Sequence, residues 1–285
     1  MIKLDKDQVV AARQGSRAAL AALVAAAEPP IYNLAARMLG NRADAEDATQ
    51  EILIKIVTHL SSVREAEAAG AWAMRVACRH LVQERKRGRL EAMRLTFEGF
   101  AADLEQGLAP LPEADLSPAE AAVAIEEVKI GCTLAMLVCL SRELRIAYVL
   151  GDVFEVTDTE AASILDIDPG AYRQRLRCAR AAVTAIVTSS CGIVSEAAAC
   201  RCERRVAPAL HLGRIVRGRT EFDHGRGPRS DIAAVRQHVG ELERGRVAAA
   251  LMRSNPDFTS YVGALVMTVL DDGRRTTSGE GRLRR

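Results

Sequence analysis

The sequence predicts an all-α fold, and three observations lead there. Alanine is abundant while Phe, Trp and Tyr together make up only 4% of the 285 residues, a balance that favours packed helices over β-sandwiches and barrels. Apolar residues recur at three- and four-residue spacing over long stretches, the period of an amphipathic helix. Helix-start signals, Ser, Thr or Asp followed by Pro or Glu, open several of these stretches. With 49% hydrophobic and 27% charged residues the chain can build a core, which excludes a wholly disordered protein, and its length suits about two domains with an appendage.

Helical periodicity begins near Ser16, is broken at Pro29-Pro30, resumes from Ile31 to Leu39 and continues from Ala43 to Leu60 and from about Ala68 to Arg89. Between Thr96 and Pro118 the pattern collapses into a stretch with Glu98, Asp103, Glu105, Glu113 and Asp115 and no Lys or Arg, which reads as an acidic linker. Ser117-Pro118-Ala119-Glu120 is a capping box with proline at the first helical position. It opens a helix to about Leu140, followed by another from Ser141 to Val153. Thr157-Asp158-Thr159-Glu160 reads as a second capping box opening a short helix to Leu165, and Asp168-Pro169-Gly170 caps a helix running to about Thr188. Ser230 to Arg253 and Thr259 to Leu270 read as further helices, while the last residues read as a disordered tail. The organisation expected is a helical domain over 10–94, a linker over 95–116, a second helical domain over 117–189, a small mostly helical extension over 190–270 and a tail over 271–285.

The formal net charge of +2 is a cancellation. Residues 1–200 carry 22 basic and 27 acidic side chains, residues 201–285 carry 17 and 10. Asp5 and Asp7 stand where a secretory signal would need its apolar stretch, and the apolar runs 18–27 and 130–140 fall short of a bilayer span, so the expectation is a cytoplasmic protein without a membrane partner. Seven cysteines, an odd number, then read as reduced thiols rather than a disulfide framework.

Three clusters carry candidate chemistry. Asp44, Asp47 and Glu51 lie three and four residues apart and share one face of the helix over 43–60. That acidic face suits either a basic partner or the helix dipole. Trp72 precedes Arg75, Arg79, Arg85, Lys86, Arg87 and Arg89; an aromatic beside a run of cations suits strand-separated DNA, with core packing as the other role for a tryptophan. The short helix to Leu165, the turn at Asp166-Ile167 and the following helix form a helix-turn-helix pattern. In that last helix Tyr172, Leu176, Ala179 and Val183 make an apolar stripe, while Arg173, Arg177 and Arg180 share a different face suited to guanine or phosphate.

In this order and spacing, over about Ser16 to Val187, these pieces resemble the extracytoplasmic-function (ECF) group of bacterial sigma factors in the sigma-70 family. The stretch LGNRADAEDATQEILIKIVTHL resembles the acidic helix of sigma region 2, which docks on the β′ clamp helices of core RNA polymerase. The resemblance implies polymerase contacts by Asp44, Asp47, Gln50 and Glu51, and capture of the −10 element by Trp72, Arg75, Arg79, Arg85 and Lys86. LSRELRIAYVLGDVF and EAASILDIDPGAYRQRLRCARAAV resemble sigma region 4. They imply −35 reading by Tyr172, Arg173, Gln174, Arg175, Arg177 and Arg180, a contact with the β flap, and a linker that threads the polymerase channel. Arg79 stands where the family often has asparagine, Cys178 where arginine is frequent and Ala171 where threonine is frequent. The implied function is promoter-specific initiation, with core RNA polymerase and promoter DNA as partners and an anti-sigma factor as a further one. The alternative is a free-standing helix-turn-helix regulator, metal- or redox-responsive.

Beyond Thr188 the resemblance is to the cysteine-bearing extensions of some sigma factors. Cys191, Cys200 and Cys202 with His211 could supply four zinc ligands, form a redox-sensitive cluster or be structurally incidental. The extension is expected to pack on either helical domain and regulate access in place of a separate anti-sigma protein. No phosphate loop, nucleophile elbow or pair of catalytic carboxylates is present in the sequence, so no enzymatic activity and no obligatory cofactor are expected.

Overall fold

A computed structural model describes residues 2–83, 88–93, 95–106, 116–222, 234–235, 237 and 244–279. Among them the fold is all-α, with no strand beyond two isolated bridges.

The N-terminal unit is built on α2 (Arg17–Leu39), with α1 (Lys6–Arg13), α3 (Arg42–His59) and α4 (Ala69–Gln83) packed against it. Helix α1 was not legible as a helix; Asp5 caps it by accepting from the Gln8 amide at 2.9 Å, and Val9 is fully buried. Pro29 and Pro30 do not break the chain, as the sequence suggested; α2 runs straight through them. Each proline removes a donor to the carbonyl four residues earlier, here Ala25 and Ala26, and both of those residues are exposed, so water can satisfy them. Leu23, Val24, Ala27, Ile31 and Tyr32, all buried, hold the helix on either side. By length and composition α2 could cross a bilayer, a possibility the shorter apolar run over 18–27 did not suggest; here it is the core helix, most of it covered by its neighbours.

The second unit begins with α7 (Pro118–Val138), whose Ser117–Glu120 capping box forms in both directions. Helix α8 (Arg142–Tyr148) continues into a π turn at Val149–Val153, and α9 (Asp158–Leu165) and α10 (Pro169–Ser190) complete a helix-turn-helix. The second capping box is not made. The Thr157 hydroxyl turns to Thr159, 3.5 Å away, and α9 starts with Asp158 and Glu160 facing its dipole instead. Asp166 ends α9 in the left-handed region at φ 58°. Helix α10 is capped by Asp168, which accepts from Gly170 at 2.6 Å and Ala171 at 3.3 Å.

A short helix α5 (Arg89–Ala92) ends the first unit, and the segment expected to be a plain linker carries α6 (Phe97–Gln106). Phe100 and Leu104 of α6 are buried, one turn apart, which is the physical reason the segment folds. Its acidic character is partly neutralised: Asp103 receives Arg205 at 2.9 Å and Arg214 at 2.6 Å. Residues 107–115 of the expected linker lie outside the described residues.

The C-terminal segment adds α11 (Cys202–His211), α12 (Arg244–Arg253) and α13 (Val262–Gly279). Of the helix expected over 230–253, only 234–235, 237 and 244–253 lie in the described residues, and α13 continues nine residues past Leu270 into the stretch expected to be a disordered tail. Phe258 stacks on Phe222 at 4.5 Å, its backbone exchanges hydrogen bonds with the Asn33 side chain at 2.8 and 2.9 Å, and Arg37 lies over the Phe154 and Phe258 rings. The extension is thus pinned to α2 of the first unit, while α12 packs on α10 of the second.

Candidate nucleic-acid and partner interface

Helix α4 is amphipathic. Ala73, Met74, Ala77, Cys78 and Leu81 face the core, which leaves Trp72, Arg75, Arg79 and Gln83 around a groove of about 410 Å³ completed by Lys55 and His80. Trp72 is half-buried, its ring packed against the core on one side and lining the groove on the other. A groove with one aromatic wall and three cations can stack a base and hold its phosphate. Lys55 donates to Nδ1 of His80 at 2.6 Å, so Nε2 of that ring carries the hydrogen and faces Glu51 at 3.8 Å. Arg85 and Lys86 lie outside the described residues.

On α3, Asp47 and Glu51 are exposed and Gln50 is half-exposed, so three of the four expected polymerase contacts stand together on one surface. Asp44 does a different job. Its amide is capped by Asn41 Oδ1 at 2.9 Å, its carboxylate accepts from the Asn41 amide group, and it abuts Gly88. The acidic face and the groove are neighbours, joined through Glu51, His80 and Lys55.

On α10, Arg173, Gln174 and Arg177 are exposed, Arg175 half-exposed, and Arg177 donates to Gln174 at 2.6 Å. Tyr172 is a correction to the expected reading surface. It is fully buried, its hydroxyl donates to the Ala147 carbonyl at 3.1 Å, and burial pushes its phenol well above the ordinary range. The apolar stripe it shares with Leu176 and Val183 owns that side chain. Arg180 is exposed but forks onto Asp152 at 2.6–3.0 Å, and that hydrogen bond raises its pKa further.

Helix α4 and the helix-turn-helix touch each other. Arg75 Nη2 donates to the Ser163 carbonyl at 3.0 Å and Arg79 stands 3.7 Å from Asp166, the first on α9 and the second at its C-terminal cap. A buried clamp lies behind them: Glu91 receives Arg142 at 2.5–3.2 Å and Arg145 at 2.8 Å, and Arg145 also donates to the carbonyls of Leu137, Val138, Leu140 and, across the units, Met38.

The expected zinc set is not brought together. His211 is exposed at the end of α11, and among the described residues no three His, Cys, Asp or Glu side chains are spaced to hold a metal ion. Instead Cys191, Cys200 and Cys202 line a small cavity with Cys132 of α7. Sequence spacing could not reveal Cys132, since it lies on a helix in another unit.

Residues 23–90, which hold most of α2 together with α3 and α4, match the family Sigma-70 region 2. Over 152 residues the chain is 29% identical to the ECF RNA polymerase sigma factor SigE of Mycolicibacterium smegmatis. Both comparisons liken this part of the chain to sigma-70 family proteins, the second to one of the ECF group. The alignment covers 53% of this chain, and the chain spans about half the length of that relative, 54%. The region 2 match contains both the exposed Asp47–Glu51 face and the Trp72 groove. The helix-turn-helix of α9 and α10, and everything after it, lie beyond the matched region 2.

Proposed function

We propose that this protein is a sigma factor: it joins core RNA polymerase, brings it to promoters, and opens the −10 element without covalent chemistry of its own. The observation that carries the reading is the adjacency, within the region 2 match, of an exposed carboxylate face and a groove with a tryptophan wall and three cations. Asp47, Gln50 and Glu51 contact the β′ clamp helices, Trp72, Arg75 and Arg79 hold a displaced −10 strand, and Arg173, Gln174, Arg175 and Arg177 read the −35 element from α10. The second unit meets the β flap.

The contacts of Arg75 and Arg79 with α9 and its cap support a second part of the reading. The two DNA-facing surfaces partly cover one another, and the C-terminal extension bridges α2 and α10. The free chain is therefore held closed by its own extension, in the role a separate anti-sigma protein would fill, and opens on core polymerase.

Run-off transcription with purified core enzyme and a promoter library tests the first part. Asp47→Lys with Glu51→Lys should weaken core binding roughly thirtyfold or more, the range for charge reversal at a desolvated interface, and leave duplex DNA binding by α10 unchanged. Core binding that survives the double reversal would overturn the assignment of the α3 face, and no core binding with no initiation on any promoter would overturn the reading in favour of a free-standing helix-turn-helix regulator.

A further inference from the structure

A cavity of about 30 Å³ lies between α6, α7, the end of α10 and the start of α11, and four of the seven cysteines line it: Cys132, Cys191, Cys200 and Cys202. None of the seven is in a disulfide, and Cys178 is the exposed one. The cavity shares no lining residue with the Trp72 groove or the acidic face of α3, so its chemistry is independent of the transcription reading.

Two of the four thiols are held in register. Cys191 ends α10 with extended backbone, φ −99° and ψ 117°, and forms an isolated parallel bridge with Cys200. Bridged residues on neighbouring strands lie about 4.8 Å apart, within the Cα separation of about 4.4–6.8 Å that a disulfide spans. Both side chains border the same cavity. The close approach is built in: a Cβ at Gly192 would land on the Cys200 carbonyl and the Arg201 guanidinium, so only glycine fits there. Arg201 fastens the turn by donating to the carbonyls of Cys200 at 2.8 Å, Glu196 at 3.1 Å and Ala198. Nothing comparable pairs Cys132 with Cys202, which come from two helices.

We propose that Cys191 and Cys200 are a dithiol that closes to a disulfide on exposure to a hydroperoxide, fixing the start of the extension to the end of α10. One thiolate attacks a peroxide oxygen and breaks the O–O bond, becoming a sulfenic acid and releasing water or an alcohol once the leaving oxygen takes a proton. The second thiolate attacks that sulfur, the S–O bond breaks, and the hydroxide leaves as water with a proton. The two sulfurs lose two electrons and the peroxide gains them. Burial holds the Cys200 thiol above its ordinary range, so closure is slow at neutral pH and faster as pH rises.

The full-length chain carrying Cys178→Ser, to remove the exposed thiol, is treated with hydrogen peroxide, blocked with iodoacetamide and mapped by mass spectrometry, with the melting temperature followed in parallel. The expected product is a Cys191–Cys200 cross-link that forms in C132S and C202S backgrounds, is absent in C191S and C200S, accelerates with pH, and raises Tm until dithiothreitol reverses it. A first cross-link between Cys132 and Cys202, or sulfinic acid at Cys191 or Cys200 without a cross-link, would overturn the proposal. So would stoichiometric retention of added zinc with all four thiols protected. The C132S and C202S chains keep the test decisive even if C191S or C200S does not fold.

Discussion

Arg75 donates to the backbone carbonyl of Ser163 at 3.0 Å, tying a groove side chain of α4 to the first helix of the helix-turn-helix. Beside it Arg79 and Asp166 make a looser pair at 3.7 Å, with side chains 58% and 71% exposed. Such a pair contributes at most about 1 kcal/mol to stability. It can nevertheless decide whether Arg79 is available to a phosphate. Asp166→Gly keeps the left-handed backbone that position requires and removes the carboxylate. The expected outcome is an unchanged melting temperature and an affinity for a −10 single strand that rises by no more than about fivefold. Fluorescence of Trp72, the single tryptophan, reports the titration.

The Glu91 clamp should behave in the opposite way. Arg145 is 2% exposed and Glu91 keeps 9% of its side-chain surface, so removing the carboxylate charge leaves a buried guanidinium without its counter-ion. Glu91→Gln is expected to cost about 3–5 kcal/mol, the range for breaking one partner of a buried pair. Urea unfolding measures it, and a loss below about 1 kcal/mol would show that Arg145 is held by its carbonyl acceptors instead.

Carboxyl groups give the stability curve two limbs. Burial pushes Glu91 upward, but the hydrogen bonds and charges of Arg142 and Arg145 outweigh it and hold its pKa below the usual value; Arg214, with Arg205, does the same for Asp103 against its partial burial. The folded state of these groups binds fewer protons than the unfolded state, so their contribution is complete above about pH 4.5 and is lost as pH falls through the depressed values. Glu127 runs the other way. Burial first, then the charges of Glu221 and Glu126, raise it to about 7 despite a hydrogen bond from the Glu221 amide. Its folded form binds the extra proton between about pH 4.5 and 7, so stability should decline across that window and level off above it. Glu127→Gln is expected to flatten the decline and raise Tm at pH 8 while changing little at pH 5; thermal melts in that range decide it.

The fold class and the helices α3, α4 and α7 to α10 were legible because their signals are local: apolar spacing, a Ser117 box, an Asp168-Pro169 start. What was not legible depends on partners distant in the chain. Pro29-Pro30 is tolerated because Ala25 and Ala26 face solvent and the flanking side chains are buried, and no local pattern states either fact. An acidic stretch became α6 because Phe100 and Leu104 find the core and Asp103 finds Arg205 and Arg214. In the candidate site, Asp47 and Glu51 stand on accessible surface on one helix face as their spacing implied, Trp72 and Arg75 are half-buried beside an exposed Arg79, and Asp44 is drawn into the Asn41 cap. His211 dropped out of the thiol cluster and Cys132 entered it, a substitution made by the packing of α11 on α7.

Helix α10 allows core and reading surface to be separated within two adjacent residues. Tyr172→Phe removes one buried hydroxyl and leaves the Ala147 carbonyl without that donor, so it should cost about 1 kcal/mol of stability and nothing in −35 affinity. Arg173→Ala removes an exposed cation from the facing side. It should leave stability within about 0.5 kcal/mol of the parent's and lower duplex affinity, with the salt dependence of binding falling by about one unit if Arg173 contacts phosphate. A loss confined to one base position, with the salt slope intact, would assign Arg173 to a guanine edge instead. Affinity unchanged in Arg173→Ala and reduced in Tyr172→Phe would reverse the assignment of the two faces.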